Sequence, residues 1–464
     1  MSDTLWTSDE IAAATGGRLE GEAFAATGVS IDSRSSEPGD LFVALAGARD
    51  GHDFIDMALA RGASGALAAR PGAGPRVLVG DTQAALVALG LAARDRSAAR
   101  RGAVTGSVGK TSVTQAVRAG LMRAGRGHGS VKSYNNQIGV PLTLARMPRS
   151  TERAVFEIGM NHAGEIEPLS RMVAPHAVCI TTVGPVHTEN FDDGEAGVAR
   201  AKAEVFAGLR PGGVAVLNAD NAWFDYLQGE ALKAGATVRS FGSGEACDAR
   251  LLGFTASDDG ARVSARLHGL ELEFPLRQRG AHWGPNSLAV LLMLEALHVA
   301  LPTALEALSR FEPLDGRGSE RVIAAAAGPF VLIDESYNAN PISMQAALST
   351  LGGRAAKGRR IAVLTDMLEL GPEAKRYHFE IAESLERAEV DLVYCAGPLM
   401  KFLWDALPST RRGGYAGTAG ELAPQVVRAV APGDLVMVKG SNGSKASTVA
   451  AALAALDLVG SLGG

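Results

Sequence analysis

The chain has 464 residues, 47% hydrophobic and 20% charged, with a net charge of −5 at neutral pH. That length exceeds one ordinary domain and suits two or three, and the composition is that of a soluble globular protein. The acidic balance argues against a nucleic-acid binder, which carries a basic domain or stripe. Only three cysteines occur, Cys179, Cys247 and Cys395, too few and too scattered for a disulfide framework or a zinc site.

The N-terminal MSDTLWTSDE lacks the basic start and apolar run of a signal peptide. No stretch of about 18 apolar residues occurs, so no membrane span and a cytoplasmic location are expected. Residues 1–98 read as a small mixed α/β domain. A helix is expected from Ser8, as its cap, with Ile11 the first apolar position. GVSIDSR (28–34), LFVAL (41–45) and RVLVG (76–80) read as strands, EPGD (37–40) as a turn and FIDMALARGA as a helix. The polar, basic stretch 93–102 reads as a connection, with a boundary near Ala99.

From 99 to 315 strand, loop and helix alternate: a short strand AVT (103–105), a helix over 111–125, strands at 154–158, 177–183 and 213–218, and a helix over 195–209. This order predicts a doubly wound parallel sheet of the phosphate-loop type. Cys179 lies in AVCITTV, a continuous apolar run that fits a strand covered on both faces. After EPLDGRGSER (312–321) the alternation restarts, with strands at 330–336, 359–367, 391–397 and 434–441. Residues 316–464 are therefore expected to form a C-terminal Rossmann-like α/β domain.

AVTGSVGKTS (103–112) holds the end of a phosphate loop, but Val104 stands where a full G-x-x-x-x-G-K-[ST] motif has its first glycine. Gly106, Ser107, Gly109 and Lys110 sit between a strand and a helix, where backbone N–H groups meet an anion. Lys110 supplies a point charge, and the Thr111 hydroxyl can ligate Mg²⁺. A glycine turn that only starts a helix is the alternative.

Three more residues fall near the same sheet edge. Glu157 ends a strand on the loop side, as a metal-holding carboxylate or a salt-bridged edge residue. His187 follows the next apolar strand, as a ligand or a plain loop histidine. Lys202 shares the apolar stripe of Val198, Val205, Phe206 and Leu209 on its helix. It must snorkel, find a partner or lose its charge, and a desolvated lysine reacts as a neutral amine. Asn286 can cap a long apolar helix or contact a nucleotide. Arg317 sits at the second boundary, and Tyr337 and Asn338 follow a buried strand.

Taken together, these residues resemble the Mur ligase family of ATP-dependent amide-forming enzymes, over essentially the whole chain. The resemblance rests on TGSVGKT (105–111), YNNQIGVPLTLARMP (134–148), EIGMNHAGEI (157–166), GAHWGPNSLAVL (280–291), IDESYNANPISM (333–344), LTDMLELG (364–371) and DSRSSEPGDLFVALAGARDGHDF near the N-terminus. It implies ATP-driven joining of D-Ala-D-Ala to a UDP-N-acetylmuramoyl-tripeptide through an acyl phosphate. Lys110, Glu157, His187 and Lys202 would be catalytic. Thr111, Glu157, His187 and a carbamylated Lys202 would hold Mg²⁺, or Mn²⁺. Nucleotide contacts fall to Gly106, Ser107, Gly109, Lys110, Thr111, Asn286, Arg317, Glu335, Tyr337 and Asn338. Substrate contacts fall to Ser33, Arg34, Asp50, Asn135 and Asn136. At Glu335 the family usually has aspartate, and the extra methylene moves the carboxylate outward. A monomer acting on three small molecules, with no nucleic acid, is expected. Another amide ligase of the family, tripeptide-forming or folylpolyglutamate-forming, and a phosphate-loop switch protein are the rivals.

Overall fold

A computed structural model describes residues 4–47, 49–131 and 133–457. The first three residues of the N-terminal stretch and the outer ends of the two terminal domain ranges lie outside these. Among the described residues no helix is long and apolar enough to cross a membrane.

Among the described residues the chain forms three α/β units in sequence, each on its own main sheet, with a two-stranded ribbon of Trp6–Thr7 and Ala25–Ala26 beside the first. The first sheet has five strands: Arg18–Glu20, Arg76–Leu78, Gly65–Ala68, Asp40–Val43 and Gly28–Ser30 in spatial order. Its first helix, Ser8–Thr15, is capped by Thr7 and not by Ser8. Thr7 accepts from the Glu10 N–H, and Glu10 reaches back to the Thr7 N–H, so the box starts one residue earlier than expected. Strand Gly28–Ser30 is shorter than the expected 28–34, because Asp32 turns the chain there and accepts from the Arg34 N–H. The 93–102 stretch is not all connection: helix Thr82–Asp95 runs into it, and strand Arg100–Thr105 begins before the short AVT.

This domain docks on the next through helix Gly139–Ala145, whose Leu142 and Ala145 share a core with Trp6, Ile11, Leu86 and Leu89. The Trp6 indole N–H donates to the Ala145 carbonyl at 2.8 Å, and Arg146 Nε donates to the Val29 carbonyl at 2.6 Å.

The central sheet has nine strands. Those from Gly127–Gly129 across to Ala249–Ser257 pair in parallel, and the Gly260–Leu267 and Leu270–Leu276 hairpin extends the edge antiparallel. Alternate residues feed cores on opposite faces: Val104, Val155, Cys179 and Val216 on one, Ala103, Phe156, Val178 and Leu217 on the other. Helices cover both, which explains the unbroken apolar runs. The C-terminal sheet has six strands and the same two-faced burial, with Val363 and Val436 opposite Leu364 and Met437. Cys395 is buried there and Cys179 in the central sheet, as expected of thiols in apolar runs.

Candidate active site

In the central sheet, strand Arg100–Thr105 lies between Arg153–Glu157 and Ala177–Ile180, so the chain leaves it first to one side and later to the other. A crevice opens at the carboxyl ends of strands where the order reverses in this way. The phosphate loop fills that point. Gly106 and Gly109 have φ of 142° and 87°, a region glycine enters without strain. A β-carbon at Gly106 would fall inside the Thr181 hydroxyl, so the close approach of two loops also demands glycine. Ser107 ties these loops: its hydroxyl donates to the Gly184 carbonyl at 3.1 Å and accepts from the Gly184 N–H at 3.0 Å. Helix Lys110–Arg123 starts straight after, with its free N–H groups toward the crevice. Lys110 Nζ donates to the Gly106 carbonyl at 2.7 Å, and burial lowers its pKa. Thr111 Oγ1 lies 2.8 Å from Ser133 Oγ.

Glu157 closes the neighbouring strand and is 1% exposed. One carboxylate oxygen accepts from Asn135 Nδ2 at 2.8 Å, while the other is buried without a partner. An orphaned buried oxygen of this kind costs stability unless a cation or donor meets it. Lys202 lies at the end of helix Glu195–Ala203, 1% exposed, packed along the stripe with Val198 and Val205. It does not snorkel. Burial, then the charge of Lys110, holds its pKa well below the ordinary amine range. His187 has a left-handed backbone (φ 55°), and burial, with the charges of Lys110 and Lys202, lowers its pKa to about 4. Its imidazole is therefore neutral near pH 7. Its Nδ1 lies 2.5 Å from Glu369 Oε2 of the C-terminal domain, but off the line of a hydrogen bond. Among the described residues no three His, Cys, Asp or Glu side chains form a ready metal cluster; the expected Mg²⁺ set draws on Thr111 and a modified Lys202 besides Glu157 and His187. The donor chemistry fits that group: an unpaired carboxylate oxygen, a neutral imidazole and a neutral buried amine.

The C-terminal domain forms the opposite wall. The Arg317 guanidinium stacks on the Tyr337 ring with its carbon 4.0 Å from the centroid, and its Nη2 donates to Ser133 Oγ at 3.4 Å. Glu335 and Lys439 end adjacent strands in register. The buried Lys439 ammonium donates to Glu335 Oε2 at 3.3 Å and to the Asn338 carbonyl at 3.1 Å. Asn286 is not a cap. Helix Trp283–Ala296 has His282 at its N-cap position, and Asn286 lies inside the first turn with its amide beside Gly109.

These groups line one cleft of about 540 Å³ between the central and C-terminal domains, with Ser107, Gly109, Lys110, Thr111, Glu157 and His187 on one side and Arg317, Glu335, Tyr337, Asn338 and Lys439 on the other. Asn135 and Asn286 line it too, while Lys202 stands behind the surface. Four expected substrate residues are not brought there. Ser33 is buried in the first domain, and Arg34 is exposed and paired with Asp32. Asp50 accepts from the His52 N–H and from Arg70. Asn136 Oδ1 caps the turn before helix Gly139–Ala145, accepting from the Ile138 and Gly139 N–H groups. Sequence reasoning missed Ser133, Glu369 and Lys439. Lys439 carried the same signal as Lys202, a lone charge in an apolar run.

Residues 104–294 match the Mur ligase middle domain, 320–442 the Mur ligase, glutamate ligase domain, and 25–93 the Mur ligase family, catalytic domain. The UDP-N-acetylmuramoyl-tripeptide–D-alanyl-D-alanine ligase of Escherichia coli is 35% identical over 393 residues, 82% of this chain and 83% of that one. The crystal structure of MurF from Acinetobacter baumannii superposes with a TM-score of 0.83 at 28% identity, covering 97% of this chain and 99% of that one. The MurF ligase of Thermotoga maritima, solved in complex with ADP, shares the fold at a TM-score of 0.76 and 23% identity over 92% of this chain and 97% of that one. Phosphate loop, interdomain cleft and full-length likeness agree, and the chain belongs to the Mur ligase family.

Proposed function

We propose that this chain is a cytoplasmic, ATP-dependent ligase that joins D-Ala-D-Ala to UDP-N-acetylmuramoyl-tripeptide, forming the pentapeptide precursor of peptidoglycan. The full-length likeness to ligases of that name supports the substrates. The observation that carries the chemistry is the phosphate loop beside a buried carboxylate with a free oxygen, on one wall of the cleft and with a buried lysine behind it.

A carboxylate does not acylate an amine in water, because oxide is not a viable leaving group. ATP supplies the remedy by turning the tripeptide's terminal carboxylate into an acyl phosphate, from which phosphate leaves once the dipeptide amine has attacked. Phosphoryl transfer of this kind needs positioning and charge neutralisation more than covalent help. The loop N–H groups and Lys110 cradle the phosphates, and Lys110 must release the Gly106 carbonyl to do so. Arg317 sits close enough to lower the Lys110 pKa further, so both cations act on one anion. Asn286 and Tyr337 border the nucleotide side. Thr111, Glu157, His187 and Lys202 as its carbamate would hold Mg²⁺ or Mn²⁺, which would screen the phosphate charge. The neutral Lys202 amine is the form that adds CO₂, and the product gains a carboxylate where an ammonium is poorly solvated. Closure of the cleft on its substrates would exclude water from the acyl phosphate. The first domain, with Ser33, Arg34 and Asp50, and Asn136 on the central-domain segment it docks against, would hold the uridine end of the substrate away from the reacting end.

The test is the mass of the product after incubation with ATP, D-Ala-D-Ala and UDP-tripeptides ending in lysine or diaminopimelate. A pentapeptide product is expected, with ADP release that depends on the dipeptide. ADP release indifferent to D-Ala-D-Ala overturns the reading. Stimulation by a single amino acid favours a different amide ligase, and stimulation by a macromolecule a switch protein.

A further inference from the structure

Glu369 has no part in the reaction just described, yet it is held in an unusual way. Its φ is 64°, left-handed for a non-glycine residue, and the histidine it faces is left-handed as well. Strained backbone that persists is over-determined by its surroundings. Here the surroundings are plain. Asp366 accepts from the Met400 N–H, the Met367 N–H donates to the fully buried His378, and the Leu368 N–H donates to Ser441 Oγ. Two residues on, Gly371 (φ 57°) abuts the Glu189 backbone of the central domain, where a β-carbon would come within 3.2 Å of the Glu189 Cα. The loop is thus pinned on the C-terminal domain and pressed against the His187 loop. It sets the Glu369 carboxylate 2.5 Å from His187 Nδ1. No hydrogen bond to His187 Nε2 is made among the described residues. Leu368, Glu369 and Leu370 also share a small cavity with Ser107, Lys110 and His187.

We propose that Glu369 is the positioning residue for His187, delivered by the C-terminal domain. Its carboxylate takes the Nδ1 side of the imidazole, fixes the tautomer with the proton there and leaves Nε2 free to bind a divalent cation. A carboxylate behind a ligand histidine orients the ring and raises its basicity. The contact crosses the domain gap, so closure and cation binding are coupled. Off-line hydrogen bonds of this kind at a reaction site tighten when the site is loaded. This inference rests on the reading of His187 as a metal ligand.

The full chain is titrated with Mn²⁺, free ion being read by electron paramagnetic resonance, and ¹⁵N-histidine spectra report the His187 tautomer, assigned by its loss in His187→Ala. Glu369→Ala is expected to weaken Mn²⁺ binding about tenfold and to release the single Nδ1–H tautomer. Glu369→Gln keeps a carbonyl acceptor and should retain the tautomer and most of the affinity, with the thermal midpoint of both variants at the wild-type value. Unchanged or tighter Mn²⁺ binding with an unchanged tautomer in Glu369→Ala overturns the inference. If His187→Ala itself binds Mn²⁺ like the wild type, the metal reading fails instead.

Discussion

Lys202 shows what one buried charge decides. An ammonium taken fully out of water without a partner costs several kcal/mol, so the neutral amine is the stable form in this pocket. Its helix stripe announced the problem in the sequence, and the fold leaves snorkelling no room. Lys202→Ala should therefore lose most ligase activity, and short carboxylic acids added to the assay should restore part of it by standing in for the carbamate. Full activity of the unsupplemented variant would remove the carbamate from the mechanism. Glu335 is the opposite case. Its departure from the family's aspartate was visible in the sequence, but that its carboxylate meets Lys439 was not, because the pairing joins strand ends 104 positions apart in the chain.

The elements themselves were legible where burial is two-sided and obscure where it is not. The parallel strands declared themselves as apolar runs, and the phosphate loop as glycine between strand and helix. Strand Gly65–Ala68 did not, because GALA has neither β-branched residues nor alternation, and only its place between two strands makes it one. The Gly260–Leu276 hairpin was missed since one face is wet and its apolar positions alternate with charge. At the phosphate loop the cost of a side chain is steric: Gly106→Ala puts a methyl into the Thr181 hydroxyl. It should abolish measurable ATP binding by calorimetry while the far-ultraviolet dichroism stays native. At strand Gly127–Gly129, burial lowers the His128 pKa from 6.5 to about 4. Between those values the unfolded chain takes up a proton that the folded chain refuses, so stability falls as pH drops through this window and is unaffected above it. The urea midpoint of the wild type should fall between about pH 7.5 and pH 5, and less steeply in His128→Gln. An equal slope would place the effect in other groups, such as His176.

At the scale of the molecule, function depends on the gap between the central and C-terminal domains. Glu320 spans it, accepting from Arg279 of the central domain and, at 3.0 Å, from Arg354 Nη2 of its own. All three side chains are largely buried, which raises this pair above the ~0–1 kcal/mol of an exposed ion pair. Removing the carboxylate leaves two guanidinium groups facing each other. Glu320→Ala should widen the interdomain distances seen by single-molecule energy transfer and raise KM for the peptide substrate more than it lowers kcat. Unaltered distances would show that the remaining contacts hold the two domains together unaided. The run 133–145 has a different part in this. Ser133 meets both Thr111 and Arg317, Asn135 holds Glu157, and the helix that follows carries the docking face of the first domain. One short length of backbone is thus a shared pivot for three bodies. Any swing of the first domain is geared, through Asn135, to the carboxylate beside the phosphate loop, so a ligand held on that domain would set the timing of events at the loop.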